Sequence, residues 1–329
     1  MALFSCNNCG FIREVGNDYL GKSVKCPKCE SIKTIYDTAI YVGSLIKRYI
    51  ETSKELQALK SRLSTDAGSV EVERKLLFAE IDIYNTDHLT KEHNLEPVVA
   101  WFKKNKIDVN IDKEAVDTRG FYDEVAVLMG DNYHDLSFLC SQIKYNQSKG
   151  FETVKIDLSK KSTSEIKTIT TFCKALYNYS FVAKYFQSKK EKEILLTLQK
   201  APNIRYFFNG IWMEWFVFIK VLEFFHEQGA SPACVRSLQI TFSDGVANEI
   251  DIFVLTEKGI PIYIECKSGE FRHDIDKYLS LRKRLNINKN QFIICVFGLS
   301  QEQASGLTRM YDLTFVNEAS LITHIQAVI

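Results

Sequence analysis

The sequence has few residues that break or stiffen a chain, and it has no excess charge of either sign. Its 329 residues include 5 prolines and 15 glycines, and 42 basic side chains against 41 acidic ones give a formal net charge of +1. This composition excludes collagen-like and low-complexity classes. The balanced charge gives the whole chain no preference for nucleic acid, membranes or acidic proteins, so any such partner has to bind a local patch.

The sequence also lacks a long apolar run, and its first residues do not have the pattern expected of a secretory leader. No stretch approaches the roughly 18 to 20 apolar residues that span a bilayer, and the start, MALFSCNNCG, has no basic region followed by an apolar one. We therefore expect a cytoplasmic protein without membrane association. Of the nine cysteines, four form two tight pairs and five are scattered, which does not suit a disulfide framework.

The two cysteine pairs lie near the start of the chain. Cys6 and Cys9 form one CxxC motif, Cys26 and Cys29 form another, and sixteen residues separate the two motifs. Zinc takes four ligands in a tetrahedron, and each such pair can occupy one edge of it. Residues 1–36 hold too little apolar mass for a core, so they need the folding free energy of a metal. The pattern predicts a zinc ribbon with a closed, structural Zn²⁺ site, which could contact phosphates or protein equally well.

A heptad pattern follows the ribbon. From Asp37 to Leu63 apolar residues recur at alternating steps of three and four, as in the seam of a coiled coil. We predict a helix over residues 37–66 and a homodimer that forms through residues 37–63. A helix that packs against this chain's own domains would show the same pattern.

Residues 67–200 alternate in pattern and are expected to form a mixed α/β domain of unknown function. Ser162 and Ser164 are candidate helix N-caps. No motif in this segment points to a chemistry. We predict helices at 96–104, 121–129, 133–145 and 164–179, and an extended stretch at 151–158.

Residues 201–329 carry the clearest pattern. An apolar helix at 209–228 precedes strands at 235–242, 247–255 and 260–266, which are followed by a helix at 273–285, a strand at 291–297 and a helix at 300–310. This order is typical of an α/β sandwich.

Charged residues interrupt two of these apolar strands. Glu265 and Lys267 are two residues apart, so they project from one face of a strand, and Asp251 lies on the preceding strand of the predicted hairpin. Buried charges are costly unless they are paired or bind a metal. Asp251, Glu265 and the backbone carbonyl of Cys266 offer the oxygen ligands that Mg²⁺ or Mn²⁺ takes. Glu214, on the apolar helix, could hold a second ion or a water on the metal.

These motifs resemble a known family. A helical glutamate followed by D-x13-E-x-K across a strand hairpin resembles the PD-(D/E)XK nuclease superfamily, and GIWME, NEIDIF and YIECKSG are similar to motifs of the CARF-linked ancillary nucleases of type III CRISPR systems. The likeness covers about residues 203–329. It implies a restriction-endonuclease-like fold, with Glu214, Asp251, Glu265 and Lys267 as catalytic and metal-binding positions. Those relatives begin with a cyclic-nucleotide sensing domain, which this chain replaces by a ribbon and a heptad helix, so activation by a cyclic oligonucleotide is not implied.

The helix after the hairpin is rich in basic residues and could bind a phosphate backbone, although a solvated helix face would show the same composition. Nearby His226 and His273 suit surface roles, and Trp212 and Trp215 suit a core. The basic residues are Arg272, Lys277, Arg282, Lys283, Arg284 and Lys289.

The sequence therefore predicts a nuclease that depends on Mg²⁺ or Mn²⁺ and hydrolyses phosphodiester bonds. DNA is favoured over RNA by the resemblance alone, and a role in defence against foreign nucleic acid follows only by analogy. Control through a regulatory protein partner or through dimerisation is a further expectation. The alternative is a non-catalytic nucleic-acid-binding or scaffold protein that works through its ribbon and coiled coil.

Overall fold

The computed structural model describes residues 2–38 apart from 7 and 10, and also 92–112, 121–188 and 190–329. The chain divides into two compact units, residues 1–70 and 71–329. Nearly all of the predicted helix over 37–66 lies outside the described residues, so the coiled coil and the homodimer stay predictions.

Unit 1 is built from short strands. Strand β1 pairs with β2 and β5 in one antiparallel sheet, and β3 pairs with β4 in a hairpin. Its small core contains Phe4 and Ile35 together with buried Cys6 and Cys26. The strands are β1 Ala2–Ser5, β2 Ile12–Val15, β3 Ser23–Lys25, β4 Ile32–Thr34 and β5 Tyr36–Asp37.

The first half of unit 2 alternates helices and short strands. Its elements are α1 Glu92–Lys104, β6 Ile107–Asn110, α2 Tyr122–Asp131, α3 Tyr133–Lys149, β7 Thr153–Asp157, α4 Thr163–Asn178, β8 Val182–Ser188 and β9 Glu193–Leu198.

The second half of unit 2 follows the order that the sequence pattern predicts for residues 201–329. Its elements are α5 Pro202–Tyr206, a kinked turn Phe207–Ile211, α6 Trp212–Glu227, β10 Ala233–Phe242, β11 Ala247–Leu255, β12 Pro261–Lys267, α7 Ile275–Leu285, β13 Phe292–Val296, α8 Gln301–Met310, β14 Thr314–Val316 and α9 Leu321–Val328.

A mixed six-stranded sheet organises this unit. Its strand order is β14-β13-β12-β11-β10-β6, with antiparallel pairing from β6 to β12 and parallel pairing from β12 to β14. A second sheet has the order β7-β9-β8. Because β6 lies in the same sheet as the C-terminal strands, residues from both sides of position 200 build one fold.

Two apolar clusters cover the two faces of the six-stranded sheet. Along β12, Ile262 and Ile264 belong to one cluster and the intervening Tyr263 belongs to the other, as expected when successive side chains point to opposite faces. Helix α6 and helices α2 to α4 contribute to the first cluster, and helices α1, α7 and α8 contribute to the second. The result is the mixed α/β architecture expected from the alternating pattern.

Most of the predicted elements are present, with bounds shifted by a few residues. Ser162 caps α4 through a capping box with Glu165, which confirms one of the two proposed N-caps. Strands β8 and β9 have no counterpart among the predicted elements. Much of β8 is exposed at the edge of its sheet, so it lacks the alternating apolar pattern that identifies a strand. No helix within the described ranges is long and apolar enough to cross a membrane.

Candidate functional site

The four cysteines of the two CxxC motifs come together in unit 1. The sulfur atoms of Cys6, Cys9, Cys26 and Cys29 all lie within 4.8 Å of one another, a spacing compatible with four ligands of a single ion. Cys6 Sγ lies 3.4 Å from Cys29 Sγ, and Cys9 Sγ lies 3.6 Å from Cys26 Sγ. The arrangement supports the predicted metal site, and thiolate ligands favour zinc.

The backbone around the two cysteine pairs follows one repeated pattern. The amide of Cys6 donates to the carbonyl of Phe11 (2.8 Å), and the amide of Cys26 donates to the carbonyl of Ser31 (2.9 Å), so each turn closes five residues further on. The Ser31 hydroxyl lies 3.1 Å from Cys6 Sγ and 3.1 Å from Cys29 Sγ. Hydrogen bonds from the Ser31 hydroxyl and backbone lower the pKa of Cys29 to about 5, which favours the thiolate that a metal binds.

Three of the four predicted catalytic residues line a cleft in unit 2. Its volume is about 430 Å³, and Glu214, Asp251 and Lys267 line it. Glu265 is not among the lining residues that belong to the described part of the chain. The other lining residues are Lys144, Tyr206, Asn209, Gly210, Ile211, Met213, Cys266, Ser268, Gly269 and Glu270.

Asp251 lies where strands β11 and β12 separate. The paired register of these strands extends from Leu255 and Pro261 to Ile252 and Ile264. One residue beyond this point, the Asp251 Oδ2 atom accepts a hydrogen bond from the Cys266 amide at 2.7 Å. The Asp251 carboxylate therefore accepts the hydrogen bond that a backbone carbonyl of β11 would accept in a regular ladder. It lies where the two strands diverge and lines the cleft, so a ligand can approach it.

Glu265 is held on the face of the sheet that carries the second apolar cluster. The buried Tyr263 hydroxyl donates to Glu265 Oε2 at 2.6 Å, and the Tyr278 hydroxyl donates to Oε1 at 3.3 Å. Lys267 Nζ contacts the same Oε1 at 2.8 Å, as their separation by two positions on one strand predicts. Both carboxylate oxygens of Glu265 thus have protein partners, and the glutamate links the tyrosines to the lysine.

Glu214 approaches from helix α6, against the opposite face of the sheet. Its Oε2 atom accepts hydrogen bonds from Arg236 NH1 and from Ser237 Oγ, each at 3.1 Å. The Arg236 guanidinium also lies 4.1 Å from the ring centroid of Trp215. A buried arginine therefore compensates the buried glutamate and fixes its orientation.

Burial and mutual repulsion make two of the carboxylates poor acids. Burial first, and then the charges of Glu265 and Glu214, raise the pKa of Asp251 well above its usual value. Burial also raises the pKa of Glu214, although Arg236 and Ser237 oppose the shift. Burial would lower the pKa of Lys267, but the neighbouring Glu265 outweighs it and the net shift is upward. The site thus combines two acids that resist ionisation with a lysine that stays charged.

The three carboxylates are close neighbours without forming a compact ligand set. Among the described residues, only the four cysteines form a group of three or more candidate metal ligands whose ligand atoms all lie within 4.8 Å of one another. Glu214, Asp251 and Glu265 do not meet that spacing together. A cation bound to all three would need a shift of a side chain or a bridging water.

Three of the six basic residues named for this region form ion pairs within the chain. Arg272 contacts Glu270, Arg282 contacts Asp312, and Arg284 forms two hydrogen bonds with Asp244. Lys289 donates to the carbonyls of Thr308 and Tyr311. Surface ion pairs of this kind leave less charge for a phosphate backbone than the composition of the helix indicates.

The remaining candidates take structural positions. Trp212 and Trp215 are buried in the first apolar cluster, as predicted. Cys266 is buried in the same cluster, on the face opposite to Tyr263. His273 is exposed in a short 3-10 turn after the hairpin.

The sequence pattern does not single out Arg236, Tyr263 or Lys144 as part of this region. A charge within an apolar strand was the signal that identified Asp251, and the run ACVRSLQITF shows the same signal at Arg236. Tyr263 and Lys144 have no comparable signal, because tyrosine is common in strands and lysine is common on helices.

No family model and no curated protein matches the chain. Among solved structures, the chain is similar to "Crystal structure of protein VC1899 from Vibrio cholerae", with 14% sequence identity and a TM-score of 0.47. The similarity covers 70% of this chain and 60% of that one, so the chain spans about three fifths of that protein's length.

Proposed function

We propose that the protein is a metal-dependent nuclease that hydrolyses phosphodiester bonds, with DNA favoured over RNA on the resemblance of its motifs. The observation that carries the proposal is the convergence of Glu214, Asp251 and Lys267 on one cleft, with Glu265 bound to Lys267. These residues come from helix α6 and from the paired strands β11 and β12. Their meeting is what phosphodiester hydrolysis of the PD-(D/E)XK type requires.

The chemistry of the carboxylates supports a divalent cation at this cleft. Glu214 is buried and Asp251 is partly buried, and burial is the main cause that raises the pKa of each carboxyl group. Hard oxygen donors in such surroundings suit Mg²⁺ or Mn²⁺, to which the backbone carbonyl of Cys266 would add a ligand. When bound, such a cation would polarise a phosphoryl oxygen and lower the pKa of a water molecule.

Lys267 supplies the fixed positive charge of the proposed site. Its ammonium group lines the cleft and keeps its proton, so it can stabilise negative charge that develops on the phosphoryl group or orient the attacking water. Glu265 sets the position of Lys267 through their 2.8 Å contact, and the Tyr263 and Tyr278 hydroxyls hold Glu265 in turn. Lys267 thus enters the reaction pre-oriented.

Incubation of the purified protein with plasmid DNA and with single-stranded RNA, in Mg²⁺, Mn²⁺ or EDTA, tests this proposal. We expect cleavage only with a metal, and a loss of about a hundredfold or more in Lys267→Ala and Asp251→Asn. Lys174→Ala is the matched control, because Lys174 is an exposed lysine on helix α4 outside the cleft and outside the basic helix. Cleavage that survives both cleft substitutions would come from a contaminant and would refute the proposal.

The cysteine cluster supports a second candidate, a non-catalytic nucleic-acid-binding or scaffold protein that uses its zinc ribbon and coiled coil. In the same experiment this candidate predicts binding to nucleic acid without cleavage under any metal condition. Control by self-association or by a regulatory protein partner, a cytoplasmic location and a defence role belong to the nuclease proposal and depend on its outcome.

A further inference from the structure

Helix α3 supplies a lysine to the cleft from a part of the chain in which the sequence shows no functional motif. Lys144 lines the same cleft as Glu214, Asp251 and Lys267. It lies 65 positions before Asn209 in sequence, and its Nζ donates to the Asn209 backbone carbonyl at 3.1 Å. The contact brings its ammonium group to the turn that leads into helix α6 and Glu214.

The turn that receives Lys144 has an unusual backbone. Residues Phe207–Ile211 form a kinked turn between α5 and α6, in which Gly210 has non-helical angles and a φ of 155° that L side chains rarely adopt. Such an interruption leaves carbonyl groups outside the regular helix ladder. The freed Asn209 carbonyl is an acceptor for Lys144, so backbone geometry fixes where the ammonium group lies.

The charges that line the cleft show what Lys144 can bind. Glu214 is paired with Arg236, Lys267 is paired with Glu265, and Glu270 is paired with Arg272. Among the described residues, the Lys144 ammonium group contacts the neutral Asn209 carbonyl and forms no ion pair with a carboxylate. Lys144 is also exposed to solvent. An anion that enters the cleft therefore meets an uncompensated cation on its α3 side.

We propose that Lys144 forms a phosphate-binding subsite of the cleft, which takes a backbone phosphate of the nucleic acid next to the one attacked. The inference rests on the proposed nuclease function. It assigns to helix α3, within the segment of residues 121–200, the role of one wall of the substrate-binding cleft. Lys144 acts as a positioning residue, because it holds the strand in place while Asp251 and Lys267 face the reacting phosphoryl group.

Binding of a fluorescein-labelled oligonucleotide to the full chain, measured by anisotropy across a series of KCl concentrations without added Mg²⁺ or Mn²⁺, tests this assignment. Each neutralised phosphate contributes about 0.7 to 0.9 to the slope of log K against log salt concentration. We expect Lys144→Ala to reduce that slope by about this amount and Lys144→Arg to restore it. Lys149→Ala is the control, because Lys149 is an exposed lysine on the same helix outside the cleft and should leave the slope unchanged.

Two results would overturn the assignment: an unchanged slope in Lys144→Ala, or an equal loss in Lys149→Ala, which would indicate a general charge effect. Parallel cleavage assays separate this outcome from that of the nuclease proposal. Metal-dependent cleavage by the wild type together with an unchanged slope in Lys144→Ala would refute the subsite alone. A slope that depends on Lys144, in a protein that never cleaves, would refute the nuclease and leave a nucleic-acid-binding cleft.

Discussion

Asp123 in helix α2 is a charged residue placed where water cannot reach it. It is fully buried, and neither carboxylate oxygen has a hydrogen-bond partner among the described residues. Burial, followed by the neighbouring Glu124 side chain, raises the pKa of Asp123 to about 8. The folded protein therefore keeps a proton on this carboxyl group at neutral pH that the unfolded chain releases.

Because of the raised pKa of Asp123, we expect the free energy of unfolding to fall as the pH rises from about 4 to about 8. Over this range the folded state binds more protons than the unfolded state, so deprotonation favours unfolding. Asp123→Asn keeps a neutral side chain of the same shape, and we expect it to flatten the dependence and to raise the free energy of unfolding at pH 8 by several kcal/mol, about 5 at most. Urea unfolding of both proteins at pH 5, 6.5 and 8 measures this difference.

Asp276→Asn provides the control for Asp123, because Asp276 is an exposed acid on helix α7. The free energy of unfolding of Asp276→Asn should depend on pH in the same way as that of the wild type. If Asp123→Asn follows the wild type at every pH, then Asp123 is ionised in the folded state and the predicted proton is absent.

Single residues of the cleft could be predicted from sequence, and their partners could not. Asp251 and Glu265 interrupt apolar strands, which is visible in the sequence itself. The Arg236 guanidinium reaches Glu214 only because β10 lies next to β11 under helix α6, and the Tyr278 hydroxyl reaches Glu265 only because helix α7 covers β12. Such pairs depend on the arrangement of whole elements, which short-range sequence patterns do not specify.

At the scale of elements, the kinked turn before helix α6 lines the cleft with Asn209, Gly210 and Ile211. The periodicity predicted one helix over residues 209–228, but the regular helix begins at Trp212 and the kinked turn precedes it. The reason is Gly210, whose φ of 155° interrupts the helical geometry. A single glycine in an apolar run does not disclose its backbone angles, so the periodicity alone could not find this turn.

Gly210→Ala tests the importance of the turn. A Cβ at this position would lie 3.6 Å from Met213 Cε, which is ordinary contact, so the expected cost comes from the backbone angle and not from a clash. We expect a loss of about 1 to 2 kcal/mol in the free energy of unfolding. We also expect weaker oligonucleotide binding, because the Asn209 carbonyl shifts away from Lys144. Thermal unfolding and anisotropy measure the two effects.

The matched control for this turn is Gly306→Ala in helix α8. Gly306 has open space around its Cβ position and an ordinary φ, so alanine there should be neutral or should stabilise the protein by about 0.5 to 1 kcal/mol. Equal effects of the two substitutions would show that the backbone angle at Gly210 carries no special cost.

At the scale of the whole molecule, the two compact units have separate cores. Among the described residues, the apolar cluster of unit 1 contains five buried residues, two of which are cysteines of the metal cluster. The clusters of unit 2 extend over both faces of the six-stranded sheet and include elements from both sides of residue 200. The cysteine spacing predicted the four-cysteine cluster of unit 1, whereas the shared core of unit 2 depends on strand β6, which no pattern identified.

This difference in core size predicts that the stability of unit 1 depends on zinc and that of unit 2 does not. Five buried residues supply little hydrophobic free energy, and structural zinc sites contribute about 10 to 16 kcal/mol in small metal-binding domains. We expect one zinc ion per chain in the wild type and none in Cys26→Ser, by elemental analysis. In hydrogen exchange, Cys26→Ser should lose amide protection at Phe4 and Cys6 and keep it at Ile264.

The control for the zinc prediction is Cys140→Ala, which removes a buried thiol of unit 2 and should retain the zinc. Low pH should release the zinc and reduce amide protection in unit 1, as Cys26→Ser does, because protons compete with the metal for the thiolates. A variant that keeps its zinc after Cys26→Ser would exclude the cluster of four sulfur atoms as the binding site. Loss of protection at Ile264 would instead show that the metal stabilises both units, since the core around β12 contains none of the four cysteines.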